Sequence, residues 1–139
     1  MLKIKKFSFA GFHLIEILIV LAIISILASF SLPSFKNYLV QERRLEAASM
    51  LTKLSIAMEQ YHIEHNTYQG ATLTALNFPE LVAKNNYRLN IQTNDATDYK
   101  LTAKPQASQA ANDQACGGLT LDANGEQGVT GSGKMADCW

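Results

Sequence analysis

The chain has 139 residues, of which 47% are hydrophobic and 17% charged, and its formal net charge is zero. A chain of this length has room for one modest domain and one long apolar segment, but not for two hydrophobic cores. The charges are unevenly placed, because Lys3, Lys5 and Lys6 precede Glu16, the first acidic residue. Without residues 1–11, 9 basic and 12 acidic residues remain. This mildly acidic balance argues against a protein that binds nucleic acid through its overall charge.

Residues 1–34 consist of a short basic stretch followed by a long apolar one. A helix over residues 12–32 would be roughly 30 Å long, enough to cross a bilayer core. The preceding lysines predict that the N-terminus is cytoplasmic and that the rest of the chain lies outside the cytoplasm. The small pair Ala10-Gly11 precedes the apolar run, whereas a secretory signal carries its small residues after that run. Two alternatives follow: an uncleaved signal anchor, or a cut after Gly11 that keeps the apolar segment.

Glu16 is an acidic residue inside this apolar segment. An ionised carboxylate in hydrocarbon is costly unless a cation lies beside it. If the chain is cut after Gly11, the new α-amino group of Phe12 is such a cation, and it can face Glu16 of a neighbouring subunit. The alternatives are that Glu16 reaches the lipid headgroups or is protonated.

The helical pattern continues beyond Pro33, which removes one backbone donor and predicts a kink or weak point. Residues 35–65 contain no Gly or Pro and are rich in helix formers. Apolar residues recur there at spacings of three, four and seven, which predicts an amphipathic helix packed on another surface. The predicted packed face consists of Tyr38, Leu45, Ala48, Leu51, Leu54, Met58 and Tyr61. His62 and His65 have no ligand-like cluster in the sequence around them and are predicted to be surface residues.

Residues 66–139 show the alternation of apolar and polar residues that is typical of half-buried strands. The predicted strands are Tyr87–Thr93, Tyr99–Pro105 and Leu119–Leu121, the last leading through an Asp-Ala-Asn-Gly turn towards Val129. Three or four antiparallel strands would bury one face on the amphipathic helix and leave the other in water. The predicted fold is therefore α+β, a long N-terminal helix whose apolar half protrudes and whose second half packs on a small antiparallel sheet. Residues 108–114 are predicted to be a solvated loop.

Cys116 and Cys138 are the only cysteines. Outside the cytoplasm they are predicted to form a disulfide. Closing a loop of about twenty residues is worth on the order of 3 kcal/mol in the chain-entropy model. The bridge would also fasten a chain end that otherwise frays.

The sequence offers little for metal binding or catalysis. Asp122, Asn124 and Glu126 alternate as oxygen ligands of calcium do, but a hairpin turn explains them more simply. Two isolated cysteines are a poor zinc site, and we find no Ser-His-Asp arrangement and no phosphate-binding glycine loop. We therefore expect no enzyme, no metal and no cofactor.

The N-terminal run GFHLIEILIVLAIISILASFSLPSFKNYL resembles the N-terminus of type IV pilins. The resemblance implies that residues 1–11 are a leader removed by an inner-membrane prepilin peptidase, which cuts after Gly11 and methylates Phe12. It implies that residues 12–34 form the transmembrane and assembly helix. Glu16 would pair with a neighbouring subunit's Phe12 amine, and the helix would loosen at Pro33.

One position departs from this pattern, because His13 stands where the family usually has Thr. A charged imidazole would compete with the amine of Phe12 for Glu16. The further partners that the resemblance implies are major and minor pilin subunits, an inner-membrane assembly platform and the membrane itself. The protein would be a single-pass inner-membrane protein with a periplasmic head, and then part of an extracellular pilus that serves adhesion or twitching motility.

The C-terminal segments YKLTAKP, CGGLTLDANGEQGVTG and the final DCW resemble the small PilE-type minor pilins of Gram-negative bacteria. We therefore expect a minor pilin. One alternative is a pseudopilin of a type II secretion system, and another is a DNA-binding pilin of natural transformation. Residues 66–139 hold five cations and seven anions, which disfavours nucleic acid as a partner. A local patch remains open, because Arg88, Lys100 and Lys104 would share a strand face.

Overall fold

The computed structural model describes residues 13–139, apart from the side chains of Leu32 and Pro33. Gly11 and Phe12, the predicted cleavage and methylation positions, lie outside the described residues. The helices are α1 (Leu14–His65), α2 (Ala107–Asn112) and α3 (Met135–Cys138). The strands are β1 (Leu81–Val82), β2 (Tyr87–Thr93), β3 (Tyr99–Pro105), β4 (Leu119–Asp122) and β5 (Gln127–Val129). This is the predicted α+β class, a long N-terminal helix with an antiparallel sheet.

The first half of α1 is apolar on all sides. The chain divides into two compact units after Asn37, so α1 contributes to both. In the first unit the large aliphatic side chains from Leu14 to Leu27 are between 48% and 78% exposed. By length and composition, α1 contains a stretch that is apolar enough to cross a membrane. The backbone of α1 is helical through Pro33, and a weak point there stays a prediction.

Three serines in this apolar half bond back to their own helix. The hydroxyl of Ser25 donates to the carbonyl of Leu21 at 2.7 Å, and that of Ser31 donates to the carbonyl of Leu27 at 3.0 Å. Ser29 does the same three residues back, at 2.6 Å. The hydroxyls are thereby satisfied without any partner outside the helix.

In the second unit α1 packs one face on the sheet. Ala47, Leu51, Leu54 and Met58 repeat at spacings of three and four and are fully buried. The prediction that Tyr38 and Leu45 belong to this face is wrong, because they are 62% and 61% exposed. A spacing of seven fits any face of a helix, and theirs is turned about half a circle from the buried one.

The helix α1 ends at His65 because the next residue, Asn66, has a left-handed backbone conformation. Asn66 follows His65 with φ of 56°, and its N–H donates to the carbonyl of His62 at 2.7 Å. Asparagine tolerates this left-handed conformation, which is a common way to end a helix.

The sheet has the order β1-β2-β3-β4-β5, with every neighbouring pair antiparallel. The predicted bounds of β2 and β3 are confirmed, and β4 extends one residue further than predicted. β1 was not predicted, because two residues are too few to show an alternation. The inward residues of the strands are buried and the outward ones largely exposed. The core on this side consists of Val82, Tyr87, Leu89, Tyr99, Leu101, Ala103, Leu119 and Leu121.

The prediction of a solvated loop over residues 108–114 is wrong. Most of this stretch lies in α2, and Gln109 and Asp113 are buried. Polar side chains are buried at low cost only where hydrogen bonds replace water. The partners come from residues far away in the chain, so composition alone suggested a solvated loop.

Candidate assembly site and buried polar clusters

Glu16 lies in the first turn of α1, where its N–H donates to the carbonyl of His13 at 2.9 Å. A carboxylate in the first turn is favoured by the helix dipole. Within residues 13–139 no cation lies within 4.0 Å of the Glu16 carboxylate. A cationic partner for Glu16 must therefore come from another molecule or from outside the described residues, and its pairing with a Phe12 amine stays a prediction.

A buried ion pair joins α1 to the residue after α2. Arg44 Nε and Nη2 each donate to one carboxylate oxygen of Asp113 at 2.9 Å. The two side chains are only 12% and 3% exposed. Arg44 Nη1 also donates to the carbonyl of Asp137 at 3.1 Å. Two parallel bonds from a guanidinium to a carboxylate are both strong and directional.

Two uncharged side chains complete this cluster. The Tyr87 hydroxyl donates to Asp113 Oδ2 at 3.2 Å, and Gln109 Nε2 approaches the Tyr87 hydroxyl and Asp113 Oδ2, each at 3.1 Å. Gln109 Nε2 also reaches the Val40 carbonyl of α1 at 3.1 Å. Burial, together with the negative charge of Asp113, raises the pKa of Tyr87 to about 12. Among the described residues Gln109 Oε1 is buried without a donor.

A second cluster lies towards the C-terminal end of α1. The Tyr68 hydroxyl lies 2.9 Å from both carboxylate oxygens of Glu59, and the Tyr99 hydroxyl donates to the same carboxylate at 3.1 Å. Burial, followed by the bond to Glu59, raises the pKa of both tyrosines. The His62 ring stacks on Tyr68 with centroids 4.3 Å apart and is half-buried. The prediction of a surface residue is therefore wrong for His62. It is confirmed for the exposed His65.

The predicted cationic patch exists as a shared strand face. Arg88 lies opposite Lys104, and Lys100 lies opposite Gln92 four residues along β2 from Arg88, so the three cations project from one side of the sheet. Two of them have acidic neighbours. Arg88 Nη1 lies 2.9 Å from Glu80 Oε1 in an exposed ion pair, and Lys100 is opposite Asp122 in the register of β3 and β4. The patch is therefore only weakly positive.

The turn between β4 and β5 has the geometry of a hairpin. Asp122 Oδ1 accepts the backbone N–H groups of Asn124 and Glu126, both at 2.9 Å. Gly125 follows with φ of 79°. These bonds are those of an Asx turn, which is the simpler of the two explanations for the alternating oxygen ligands.

The disulfide between Cys116 and Cys138 is confirmed. Backbone bonds align the tail with the first cysteine: Gly131 N–H donates to the Cys116 carbonyl at 3.0 Å, and Gly133 N–H donates to the Ala115 carbonyl at 2.7 Å. A side chain at Gly131 would collide with the Ala115 carbonyl, so only glycine fits this close approach.

Residues 33–120 match the family model described as "Type IV minor pilin ComP, DNA uptake sequence receptor". The chain belongs to this family of type IV minor pilins. The type IV pilin from Shewanella oneidensis is a similar solved structure, with a TM-score of 0.53 and 25% identity over 72% of this chain and 97% of that one. The family and the fold are those of structural subunits, not of enzymes.

Fimbrial proteins and pilins are among the curated relatives that part of this chain matches. The fimbrial protein of Neisseria meningitidis serogroup B (strain ATCC BAA-335 / MC58) is 34% identical over 65 residues, covering 47% of this chain and 38% of that protein. The type IV major pilin protein PilA of Myxococcus xanthus (strain DK1622) is 32% identical over 85 residues, covering 61% and 39%. The pilin thus spans less than two fifths of these curated relatives.

Proposed function

We propose that the chain is a minor subunit of a type IV pilus, anchored in the inner membrane and then polymerised through the first half of α1. The supporting observation is the aliphatic surface from Leu14 to Leu27, which nothing in the described chain covers. Such a surface needs lipid or other apolar helices around it. The membrane supplies the first and neighbouring pilin subunits supply the second.

In this proposal Gly11 and Phe12 are the cleavage site of a prepilin peptidase, which also methylates the new amino group. The amine of one subunit then pairs with Glu16 of its neighbour, and the pair sets the register of the helices. The absence of a cation near Glu16 within residues 13–139 supports this assignment. An inner-membrane assembly platform brings the subunits together.

The first test is the intact mass and N-terminal sequence of the protein taken from membranes that contain a prepilin peptidase. We expect a chain that begins at Phe12, heavier by one methyl group and lighter by two hydrogens for the disulfide. A chain that begins at Met1 would contradict the proposal, since Glu16 would then lack its amine.

The second test compares Glu16→Ala with Glu64→Ala, a matched change near the other end of α1 where the side chain is exposed. Both variants should be processed and stable in the membrane. Only Glu16→Ala should be depleted from sheared pili. Equal incorporation of the two variants would rule out the charge-pairing account.

A second candidate function is DNA capture by the assembled pilin. It is favoured by the description of the matching family model and by the shared exposed face of Arg88, Lys100 and Lys104. The acidic neighbours of Arg88 and Lys100 weigh against it. Lys104 is then the cation best placed to contact phosphate.

Gel shifts of the full chain in detergent, with a duplex pool of random sequence, test this candidate. Binding through phosphates must weaken steeply with salt. Lys104→Ala should lower the slope of log affinity against log salt by about 1, whereas Lys134→Ala in the C-terminal tail should not change it. No shift at low salt would exclude DNA capture and leave the pilin assignment intact.

A further inference from the structure

One guanidinium contacts both chain segments that carry the cysteines. Arg44 Nε and Nη2 bind the carboxylate of Asp113, three residues before Cys116. Arg44 Nη1 binds the carbonyl of Asp137, the residue immediately before Cys138. Arg44 belongs to α1 and is far from both segments in the sequence. Its hydrogen bonds connect the two segments.

Each segment is fixed locally, so holding it also orients its cysteine. Gly117 N–H donates to the Asp113 carbonyl at 2.7 Å, which closes a turn around Cys116. The C-terminal segment forms α3, in which Trp139 N–H donates to the Met135 carbonyl at 3.1 Å. The bonds of Gly131 and Gly133 to the other segment end five residues before Cys138. Trp139 Nε1, next to Cys138, donates to the Gly128 carbonyl at 2.9 Å, so Arg44 adds to this contact the link between the Cys138 segment and Asp113.

We infer that Arg44 is a positioning residue for the disulfide: in the reduced chain it holds the thiols of Cys116 and Cys138 within reach of each other. In the unfolded chain the two thiols meet only as often as the 21 residues between them allow. Holding both segments on one guanidinium raises the effective concentration of one thiol around the other. The disulfide holds Asp113 and Asp137 together in return, because the coupling of two equilibria is reciprocal.

The chemistry is thiol–disulfide exchange with a small-molecule disulfide such as oxidised glutathione. One cysteine thiolate attacks a glutathione sulfur, which forms a mixed disulfide and releases one glutathione thiolate. The other cysteine thiolate then attacks the cysteine sulfur of the mixed disulfide, closes the bridge and releases the second glutathione. The two cysteines lose two protons and two electrons, and the glutathione disulfide is reduced to two thiols. Arg44 favours the second, intramolecular step.

The test uses the full chain in detergent micelles, equilibrated in glutathione buffers of graded ratio. The remaining thiols are alkylated and counted by mass. Arg44→Gln should lower the equilibrium constant for bridge formation by about tenfold, the effect of losing one charge-assisted hydrogen bond or more. Arg43→Gln is the matched control, since Arg43 is the neighbouring residue of the same helix and makes no side-chain hydrogen bond to residues 13–139. It should leave the constant unchanged.

A general loss of stability must be separated from a loss of positioning. Leu54→Ala removes buried core about 15 Å along α1 from Arg44 and should leave the constant unchanged wherever the reduced chain is folded. In concentrated urea Arg44→Gln and the natural chain should have the same equilibrium constant, because the unfolded chain does not retain the contacts of Arg44 with Asp113 and Asp137. If Arg44→Gln does not fold, Arg44→Lys and Asp113→Asn take its place, and both should lower the constant.

Three results would overturn the inference. The first is an unchanged constant in Arg44→Gln, or in both replacement variants. The second is a shift of the same size in Leu54→Ala while its reduced chain is folded. The third is a reduced natural chain that is unfolded in these buffers, since no contact then acts before the bridge forms.

Discussion

The two halves of α1 differ in which of their apolar side chains are buried within the chain. From Leu14 to Leu27 the aliphatic side chains cover the whole circumference and remain exposed, whereas beyond Tyr38 only the face of Ala47, Leu51 and Met58 is buried. The first half can therefore be stable only in an apolar environment from outside the chain, and the second carries its own partner in the sheet.

The charged residues of the two halves differ in the same way. Arg44 finds its counter-charge inside the chain, in Asp113, with two bonds of 2.9 Å. Glu16 has no cation within 4.0 Å among residues 13–139. The second half of α1 thus contains an ion pair within the chain, whereas Glu16 of the first half has no such partner among residues 13–139.

The largest effect should come from breaking the internal pair. Asp113→Ala leaves the Arg44 guanidinium buried without its carboxylate and should lower the free energy of unfolding by about 3–5 kcal/mol. Urea denaturation of the full chain in detergent measures it. Glu16→Ala in the same experiment should leave the midpoint unchanged, as should Glu126→Ala in an exposed turn. A loss under 1 kcal/mol for Asp113→Ala would show that the pair does not hold the fold.

Truncating a leucine should also affect stability differently in the two halves of α1. Leu51→Ala empties part of the core and should cost about 2–5 kcal/mol of unfolding free energy. Leu21→Ala removes the same atoms from an exposed position and should leave the thermal midpoint unchanged. Circular dichroism during heating measures both. Equal losses would mean that the first half is packed inside the chain.

Alkaline pH should weaken the packed half through Tyr87. Its pKa is raised to about 12 in the folded chain, against about 10 when unfolded. Below pH ~10 both states keep the proton and stability is complete; between pH ~10 and ~12 only the unfolded chain releases it, so stability falls by roughly 2 kcal/mol. Tyr87→Phe should reduce that fall in thermal midpoint, whereas Tyr38→Phe, on the exposed face, should not. If the thermal midpoint of Tyr87→Phe falls as much between pH ~10 and ~12 as that of the natural chain, groups other than Tyr87 cause the loss of stability.

The smallest effect should come from the exposed face of the packed half. Ile56 is a large apolar residue on that face, and Ile56→Ala should change the free energy of unfolding by no more than about 0.5 kcal/mol. The urea midpoint of the full chain is again the measurement. A loss as large as that of Leu51→Ala would mean that this face is also covered within the chain.

The sequence predicts the elements whose patterns are local. β2 and β3 were predicted with their observed bounds, because each alternates over seven residues, from Tyr87 to Thr93 and from Tyr99 to Pro105. The cysteine pair was predicted because the chain offers no other pairing. The apolar character of the first half of α1 was equally clear, since it needs no partner from the chain to be recognised.

The buried polar cluster was not predicted, because its hydrogen-bond partners are far apart in the sequence. Asp113 is separated from Arg44 by 69 residues, and the segment around it has the composition of a loop. The packed face of α1 was only partly predicted for a related reason. Helical spacing identifies residues that share a face, but the sheet decides which face is buried, and this choice excluded Tyr38 and Leu45.

The hydroxyls of Ser25, Ser29 and Ser31 give the first half of α1 a further property. Each is bonded to a carbonyl of its own helix at 3.0 Å or less, so the segment keeps the same hydrogen bonds whatever surrounds it. Moving it from lipid into a bundle of helices would break none of these bonds and require no new donor or acceptor. For residues 17–31 the free-energy difference between lipid and a bundle of helices is therefore set mainly by how closely the aliphatic surface is packed.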